Sequence, residues 1–501
     1  MLTLDLGGAW PGDHTPVRAE AEEAVSACWR VVTDLIADSG DVDPADLLQK
    51  PATITLRGTG PGRVFSGLVT GFALMGVLPQ GRYWYRLTIE TALRLFAYTR
   101  RSRVFCTEQP ANVAGVISQV LASGIGARAP ESLRFDLKTT TYPTRDMVVQ
   151  YDETDLDFLS RLAEDSGIFW VLDQTQGAES LLFGDSNVCF PTLQAGGGDD
   201  GAGGQGASSA TLPYRPRIAT GDTAPAVRGV TLTSAVVAQT VQLNEWAPTN
   251  PAVALLTASA PVAGGVGQIV SAGDEHYADI AWGRTLATIR AEEAAAGRRV
   301  LEATSDVGPV AAGHVFTLSG HPAGGVDGQY VIVSASHEAW QSVAGAEFIL
   351  GEARTGSGYG NTFRAIPAAV PFRPARRTPW PSVAGLVRAV VDGAATGWSD
   401  VDANGFYRIV FAFDPATHPP GQASAPVRLL APYGGPDEGL HFPLRPGAQV
   451  LVAFHNGDPD RPVIVGAVPD TVQKSLVSQA NRKTHMIRTA GGIVMRLNDG
   501  S

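Results

Sequence analysis

Five short runs of β-branched and aromatic residues follow one another in the last third of this 501-residue sequence. They cover residues 385–391, 406–413, 426–430, 449–454 and 463–468, and segments rich in glycine, proline and aspartate separate them. Runs of this length that are bounded by turn residues are typical of β-strands. Five such strands within about ninety residues predict a small barrel of the oligonucleotide/oligosaccharide-binding (OB) type.

The second run alternates as a strand does. Successive side chains of a strand point to opposite faces. One face would carry Tyr407, Ile409, Phe411 and Phe413, and the other Phe406, Arg408, Val410 and Ala412. This two-residue period supports the assignment.

A polar, arginine-bearing stretch with five prolines precedes the barrel. The prolines stand at positions 367, 371, 374, 379 and 381. Because proline fixes φ and lacks an N–H donor, the stretch should be extended and stiff. We interpret residues 367–381 as a linker between an N-terminal region, 1–366, and the barrel, 382–470. Residues 471–501 form a separate C-terminal segment.

The N-terminal region mixes strands with a few helices. Strand-like runs cover residues 52–57, 64–72, 83–90, 314–319, 329–336 and 347–350. Apolar residues recur with helical spacing over 110–122, and two further helices are expected, from Thr154 as N-cap to near Gly167 and from about 280 to 297. The glycine-rich run 195–210 has almost nothing to bury, which predicts a flexible loop.

The charge balance argues against a polyanionic partner. Thirty-eight basic residues stand against 49 acidic ones, a net charge of −11, whereas surfaces that bind nucleic acid or anionic lipid are usually basic. Cys28, Cys106 and Cys189 are widely spaced, which favours neither a disulfide framework nor a zinc site and is typical of a protein made in a reducing cytosol. We expect no nucleic-acid partner and no signal peptide.

Residues 447–466, GAQVLVAFHNGDPDRPVIVG, resemble the barrel signature of the VgrG and phage tail hub family. In that signature a strand runs into a GDPDRP turn and then into a strand rich in valine and isoleucine. Asp402 with residues 405–413 resembles another strand of the family, D-x-x-G-R-V-x-V-x-F. Arg428 and the segment 434–447, which ends in LRPG, are similar to the strand and loop between them.

The GDPDRP turn also makes physical sense. Asn456 and Gly457 permit a tight reversal, and the two prolines fix φ. Asp458 or Asp460 can accept backbone hydrogen bonds or pair with Arg461. The segment therefore predicts a rigid corner between two barrel strands.

The resemblance extends into the N-terminal region and covers nearly the whole chain. Residues 142–167, YPTRDMVVQYDETDLDFLSRLAEDSG, are similar to the family pattern Y-P-x-R-x-x-x-V-Q-Y-x-E-T-D-x-x-F-x-x-R-L-x-E-x-x-G. Tyr330, His337 and residues 359–363 fit the end of the same unit.

This resemblance implies a mainly β fold with some α. The expected parts are a phage hub-like pair of β-barrels with helices in 1–366, an OB-fold barrel in 382–470 and the start of a trimeric β-helical needle in 471–501. It implies a non-enzymatic hub and spike of a contractile injection machine of the type VI secretion kind, which punctures target membranes and carries effectors.

The same resemblance implies a set of partners. They are two further copies in a homotrimer, the inner tube protein, baseplate components, a PAAR-like tip protein and effectors, and the target membrane only during puncture. The protein would be cytoplasmic until assembly and would then be injected by the machine.

The C-terminal segment fits the needle. Residues 481–497 alternate between apolar and polar, with a Gly491-Gly492 turn. Such strands cannot cover their own apolar face, so three chains around a common axis would bury a core that none could bury alone. Family members commonly continue far beyond this point, and a shortened chain and a short spike both remain open.

Several polar residues invite a catalytic or metal site but have simpler explanations. Glu153, Asp155 and Glu164 suggest an acid–base pair, yet acidic residues at a helix start complement its dipole. His337-Glu338 begins like a zinc-protease motif, but Gln341 occupies the position of the second histidine.

Two further patterns are incomplete. Asp458, Asp460 and Asp470 lack the twelve-residue loop of a calcium site. The glycines of 196–206 and 264–267 match neither a dinucleotide-binding nor a phosphate-binding loop. We predict no catalytic residue, no cofactor and no metal ligand.

Two other functions stay open at this point. The equivalent subunit of a phage tail or of an extracellular contractile particle would have much the same sequence. A cell-wall-degrading hydrolase is less favoured, because the roughly 30 residues after the barrel are too few for a catalytic domain.

Overall fold

In a computed structural model, strands dominate the chain. The structure describes residues 2–58, 60–106, 111–124, 132–139, 142–174, 179–194, 210–216, 224–248, 251, 254–273, 275–350, 354, 356–394 and 397–499. The expected flexible loop at 195–210 lies outside these residues except for Ala210.

The strands account for the mainly β class, which is confirmed. They are β1 (Leu2–Asp5), β2 (His14–Ala24), β3 (Ala27–Ala37), β4 (Pro51–Leu56), β5 (Arg63–Val77), β6 (Tyr83–Glu90), β7 (Arg100–Cys106), β8 (Ser132–Asp136), β9 (Met147–Thr154), β10 (Phe169–Asp173), β11 (Ser180–Gly184), β12 (Thr211–Pro213), β13 (Val227–Ser234), β14 (Thr240–Glu245), β15 (Leu255–Ala258), β16 (Gln268–Ala272), β17 (Arg299–Ser305), β18 (Val315–Ser319), β19 (Gly328–Trp340), β20 (Gly358–Pro367), β21 (Val387–Val391), β22 (Ile409–Phe411), β23 (Arg428–Leu429), β24 (Gln449–Phe454), β25 (Pro462–Ala467), β26 (Thr484–Arg488) and β27 (Val494–Asn498).

The α-helices are few and short. They are α1 (Pro44–Leu47), α2 (Val113–Ala122), α3 (Asp155–Asp165), α4 (Ile280–Ala296) and α5 (Glu347–Leu350). Among the described residues, no helix combines the length and the apolar character needed to cross a bilayer.

The expected helices α2, α3 and α4 are confirmed. The Thr154 side chain caps α3 by accepting from the Asp157 N–H at 3.0 Å, and Gly167 ends it with φ +68°, a conformation that costs glycine little. Asp279 caps α4 by accepting from the N–H groups of Ala281 and Trp282. Local capping chemistry therefore sets these helix ends.

The strand expected at 347–350 is wrong, because these residues form helix α5. Ile349 and Leu350 are both buried, while Phe348 is exposed. Two consecutive buried side chains do not fit the alternation of a strand. A short apolar run does not distinguish strand from helix by periodicity alone.

The chain divides into two compact units. Unit 1 comprises Met1–Thr99, Ile117–Pro143 and Thr154–Pro379, and unit 2 comprises Arg100–Val116, Thr144–Glu153 and Trp380–Ser501. The boundaries expected at 366, 381 and 470 remain predictions. Two stretches of the expected N-terminal region, Arg100–Val116 and Thr144–Glu153, are grouped with the barrel in unit 2.

Unit 1 is built on one twelve-stranded sheet. Its main path runs β1-β4-β5-β6-β3-β2-β19-β20-β17-β13, with β18 and β12 attached at β19. The two halves of this path meet where β2 pairs antiparallel with β19, in a register that places His337 opposite Ala21. A smaller sheet, β15-β14-β16, packs its inner face against α4.

The proline-rich stretch follows the surface of unit 1 as an extended strap, residues 371–379. Arg373 pairs with Glu292 at 2.7 Å, and Arg376 pairs with Glu275 at 3.1 Å. The carboxylate of Glu164, near the end of α3, accepts hydrogen bonds from the N–H groups of Arg377 and Thr378 and from the Thr378 hydroxyl. These contacts fix the strap on unit 1.

Unit 2 contains the expected five-stranded sheet, in the order β22-β21-β24-β25-β23. Tyr407, Ile409 and Phe411 are buried in its core, so the alternation expected from the second run is confirmed. Val104 of β7 and Val149 of β9 pack into the same core.

Candidate assembly surface

The predicted rigid corner connects strands β24 and β25 of the barrel in unit 2. Asn456 and Gly457 both have positive φ, at +52° and +77°. The Asp458 carboxylate accepts from the Asp460 N–H at 3.0 Å and pairs with Arg461 at 3.1 Å. Asp458 therefore closes the turn, as expected from the sequence.

A second turn leads the chain away from the barrel. The Asp470 carboxylate accepts from the N–H groups of Val472 and Gln473, both at 2.6 Å, and from the Gln449 side-chain amide. The Gln473 amide donates to the Gly447 carbonyl. Asp470 thus anchors the C-terminal segment to the start of β24, instead of joining the other two aspartates.

Exposed apolar side chains concentrate beyond the strap. Among the described residues, sixteen of the 31 large exposed apolar side chains lie between Leu386 and Leu497. From Val465 to Asp499, no described residue is buried. An isolated two-stranded hairpin is marginally stable at best in water, so this segment needs a covering surface.

The end of the described chain is an antiparallel hairpin, β26–β27. Gly492, with φ +91°, forms the predicted turn, and its N–H donates to the Thr489 carbonyl at 3.0 Å. Ile487 pairs with Met495, and His485 pairs with Leu497. Cross-strand partners share a face, so these residues form one face together with Ile493.

The opposite face of the hairpin is basic. Arg488 pairs with Val494, and Met486 pairs with Arg496. The two arginines are therefore diagonal neighbours on this face. The hairpin is amphipathic, with an apolar face and a basic face, and all four apolar residues of the first face are exposed: Ile487 45%, Ile493 75%, Met495 58% and Leu497 62%.

His337 and Glu338, which resembled the start of a zinc-protease motif, lie on strand β19 and not on a helix, and Gln341 directly follows the strand. His337 Nε2 lies 2.9 Å from Glu23 Oε1, and its Nδ1 lies 2.9 Å from the Tyr359 hydroxyl. Glu338 pairs with Arg18 at 3.1 Å. The side chain of Gln341 donates to the Pro16 carbonyl and accepts from the Leu2 N–H.

His337 belongs to a buried charge network inside unit 1. Arg63 and Glu23 form an ion pair of 2.5 Å. Burial by itself raises the pKa of Glu23, but the Arg63 cation and the hydrogen bond from His337 outweigh it and lower the pKa to about 2. This arrangement holds a fixed charge pair, and sequence reasoning missed it because Glu23 and Arg63 carry no local signal of burial.

The carboxylates of the suspected acid–base pair have separate structural tasks. Asp155 lies in the first turn of α3 together with Asp157, as expected for residues that complement the helix dipole. Glu164 lies in the last turn and binds the strap. Burial is the main cause that raises its pKa, against opposing hydrogen bonds from Thr378.

Comparisons with known proteins agree with this architecture. Residues 22–343 match the family model described as phage tail baseplate hub (GPD). Residues 402–468 match the type VI secretion system/phage-baseplate injector OB domain. The expected fold class, with a hub-like region and an OB barrel, is confirmed.

Two spike proteins of the type VI secretion system of Pseudomonas aeruginosa are similar to this chain. VgrG5 is 29% identical over 463 residues, which cover 91% of this chain and 56% of that protein. VgrG4b is 28% identical over 455 residues, which cover 89% of this chain and 53% of that protein. The chain thus spans about half the length of these relatives.

A solved structure shares the fold. It is that of the E. coli c3393 protein, described as a component of the type VI secretion system that is structurally similar to the T4 bacteriophage tail proteins gp27 and gp5. The TM-score is 0.65 at 21% sequence identity, and the match covers 93% of this chain and 100% of that one.

Proposed function

Because this chain belongs to the phage tail baseplate hub (GPD) family, we propose that it is a hub and spike subunit of a contractile injection machine of the type VI secretion kind. It acts as a homotrimer. The observation that carries the proposal is the β26–β27 hairpin, whose apolar face no described residue of the same chain buries.

Three copies around one axis supply the missing cover. Each copy turns Ile487, Met495 and Leu497 toward the axis, and the basic face remains outside. Burying one large apolar side chain contributes about 1.5–3 kcal/mol. Several such residues per copy are therefore enough to favour assembly over the separate chains, and the closed symmetry leaves no apolar face open.

The function is mechanical and not catalytic. The family match and the named spike relatives support a subunit that sits at the front of a tube, contacts the inner tube protein and the baseplate, and carries a PAAR-like tip protein and effectors at the needle end. Contraction of the machine injects it through the target membrane, after a cytoplasmic stage before assembly. The contacts of Glu164, His337 and Asp458 support this proposal, because each of these side chains has a structural partner.

Mass in solution tests the proposal. Light scattering coupled to size exclusion should give a trimer for the full chain, and a version that ends at Asp470 should dissociate more readily. A trimer in both would place the main interface in the hub and barrel instead of the hairpin. A monodisperse monomer of the full chain at micromolar concentration would refute the proposed assembly.

The hub of a phage tail or of an extracellular contractile particle is the second candidate, and the phage-hub family model favours it. Proteins that co-purify with the chain from its native cells distinguish the two. Secretion-machine components would support the first candidate, and head or phage-tail proteins the second.

A further inference from the structure

The charge of the C-terminal segment is opposite in sign to that of the whole chain. Residues 471–499 contain five basic residues and one acidic residue, a net charge of +4, whereas the whole chain carries −11. The basic residues are Lys474, Arg482, Lys483, Arg488 and Arg496. Charges screen one another over about 8 Å at physiological ionic strength, so a partner of this segment experiences the local charge and not the total.

Two of these arginines lie where a partner can reach them. Arg488 and Arg496 are exposed on the basic face of the hairpin. Within the part of the chain that the structure describes, no carboxylate lies within ion-pair distance of either one. The acidic residue of the segment, Asp499, pairs with His485 at 2.9 Å, and His485 belongs to the apolar face.

We propose that the basic faces of the hairpins form a collar that binds the headgroups of an anionic lipid surface. This inference rests on the proposed function, since three hairpins must first bury their apolar faces against one another. The collar then presents Arg488 and Arg496 three times around the axis. Guanidinium groups keep their positive charge at neutral pH and attract the phosphates of anionic headgroups.

An anionic bilayer fits this collar better than an acidic polypeptide does. Three-fold symmetry repeats the same basic face in three directions, and a single polypeptide on one side contacts only part of it. A bilayer crossed along the axis surrounds all three faces. Met486 and Val494 lie between the arginines, and mixed basic and apolar side chains suit the interface of a membrane.

The net negative charge of the whole chain does not prevent the basic faces from binding anionic lipid. The acidic excess lies outside residues 471–499, and salt weakens its repulsion with distance. Each basic residue near an anionic bilayer adds to the attraction, so six arginines in a trimer act together.

Vesicle sedimentation with the trimer of the 501-residue chain tests the collar. The probes are vesicles of 70% phosphatidylcholine and 30% phosphatidylglycerol, with pure phosphatidylcholine as the neutral comparison. We expect binding to the anionic vesicles only, and weaker binding at high salt. The double variant Arg488→Gln/Arg496→Gln should bind about tenfold more weakly or worse. Arg488→Lys/Arg496→Lys, which keeps the charge, should retain most of the binding.

A matched control removes the same charge elsewhere. Arg134 and Arg284 are exposed residues of unit 1, and the variant Arg134→Gln/Arg284→Gln should bind like the parent protein. The collar would be refuted if Arg488→Gln/Arg496→Gln bound anionic vesicles as well as the parent protein does. It would also be refuted if the parent protein bound neutral and anionic vesicles equally well. Competition by poly-glutamate without any vesicle binding would refute it in favour of an acidic polypeptide.

Light scattering on the same samples separates the two proposals. A trimer that binds no anionic vesicle contradicts the collar and leaves the hub and spike function intact. A chain that stays monomeric contradicts the proposed function itself.

Discussion

Arg63 and Glu23 lie 2.5 Å apart, each with a side chain only 5% exposed. They belong to β5 and β2, which are not neighbours in the sheet, because β6 and β3 lie between them. Their contact therefore requires this half of the sheet to curl until its strands meet across the interior. His337 joins them from β19, in the other half of the sheet. The ion pair therefore stabilises the curled half of the sheet in unit 1. Through His337 it also stabilises the junction between β2 and β19, where the two halves of the sheet meet.

The first prediction concerns the variant Glu23→Gln. Removing one partner of a buried ion pair leaves the other charge uncompensated, which costs about 3–5 kcal/mol. We expect a loss of this size in the free energy of unfolding, measured by urea denaturation. Glu302→Gln is the matched control, because Glu302 forms an exposed pair with Arg364, and it should change the free energy by less than about 1 kcal/mol. Equal effects of the two variants would contradict the role given to Glu23.

The same pair predicts a particular loss of stability in acid. The pKa of Glu23 is lowered to about 2, below the value of about 4.3 expected for an unfolded chain. A depressed carboxyl pKa contributes stability that is present above the unfolded pKa and is lost as the pH falls toward the folded pKa. The free energy of unfolding should therefore decrease between about pH 4.5 and pH 2. In Glu23→Gln, this part of the pH dependence should be absent.

The sequence predicts features that depend on neighbouring residues better than features that depend on residues far apart in the chain. The barrel strands were predicted within a few residues, because alternation and turn chemistry are local properties. The sequence did not predict that Val104 and Val149 belong to the barrel core, because they lie about three hundred positions away from the strands that they contact. Nothing in the local pattern of residues 100–116 distinguishes the unit to which they belong.

The same distinction between local and long-range features applies to the candidate assembly surface and to the buried charge network. Alternation and the Gly491-Gly492 turn predicted the hairpin, and the register then assigned Arg488 and Arg496 to one face. The buried network could not be predicted, because glutamate and arginine are normally surface residues and their burial depends on the curl of a sheet. The resemblance to VgrG and phage hub proteins is confirmed by the comparisons, over both the N-terminal region and the barrel.

The contact between Glu164 and the strap gives a further prediction. Glu164→Ala removes the acceptor for the two N–H groups and the hydroxyl of Arg377 and Thr378, and it should cost about 1–3 kcal/mol. Hydrogen exchange at both amides should become faster. Glu164→Gln is the matched control, because its carbonyl can accept from both N–H groups and its amide can donate to the hydroxyl. Slow exchange in Glu164→Ala would contradict the attachment.

The pH dependence of this contact has the opposite sign to that of Glu23. Burial raises the pKa of Glu164. A raised folded pKa contributes stability that is complete below the unfolded pKa and is lost as the pH rises through the folded pKa. Glu164→Gln should therefore be at least as stable as the parent protein at neutral pH. A clear loss of stability in Glu164→Gln at pH 7 would show that the ionised carboxylate is required.

Tyr407 supplies a prediction for the barrel. Its ring is fully buried, and its hydroxyl lies 2.7 Å from His441 Nε2 and accepts from the Leu444 N–H at 3.1 Å. Tyr407→Phe keeps the ring and removes both hydrogen bonds, so it should cost about 1–2 kcal/mol and loosen the loop that contains Leu444. Tyr433→Phe, at an exposed tyrosine, should have almost no effect. Thermal unfolding of both variants makes the comparison.

The last prediction distinguishes the two faces of the hairpin. Ile487→Ser/Met495→Ser changes a cross-strand pair on the apolar face. It should destabilise the trimer, because serine cannot make the apolar contacts that isoleucine and methionine make with the other copies. The matched control Met486→Ser/Val494→Ser removes similar side chains from the basic face. Light scattering over a dilution series should move the dissociation midpoint by at least about tenfold for the first variant, the equivalent of about 1.4 kcal/mol, and much less for the second. If both variants dissociate alike, the hairpin faces have no distinct roles, and the apolar face cannot be the surface on which the copies assemble.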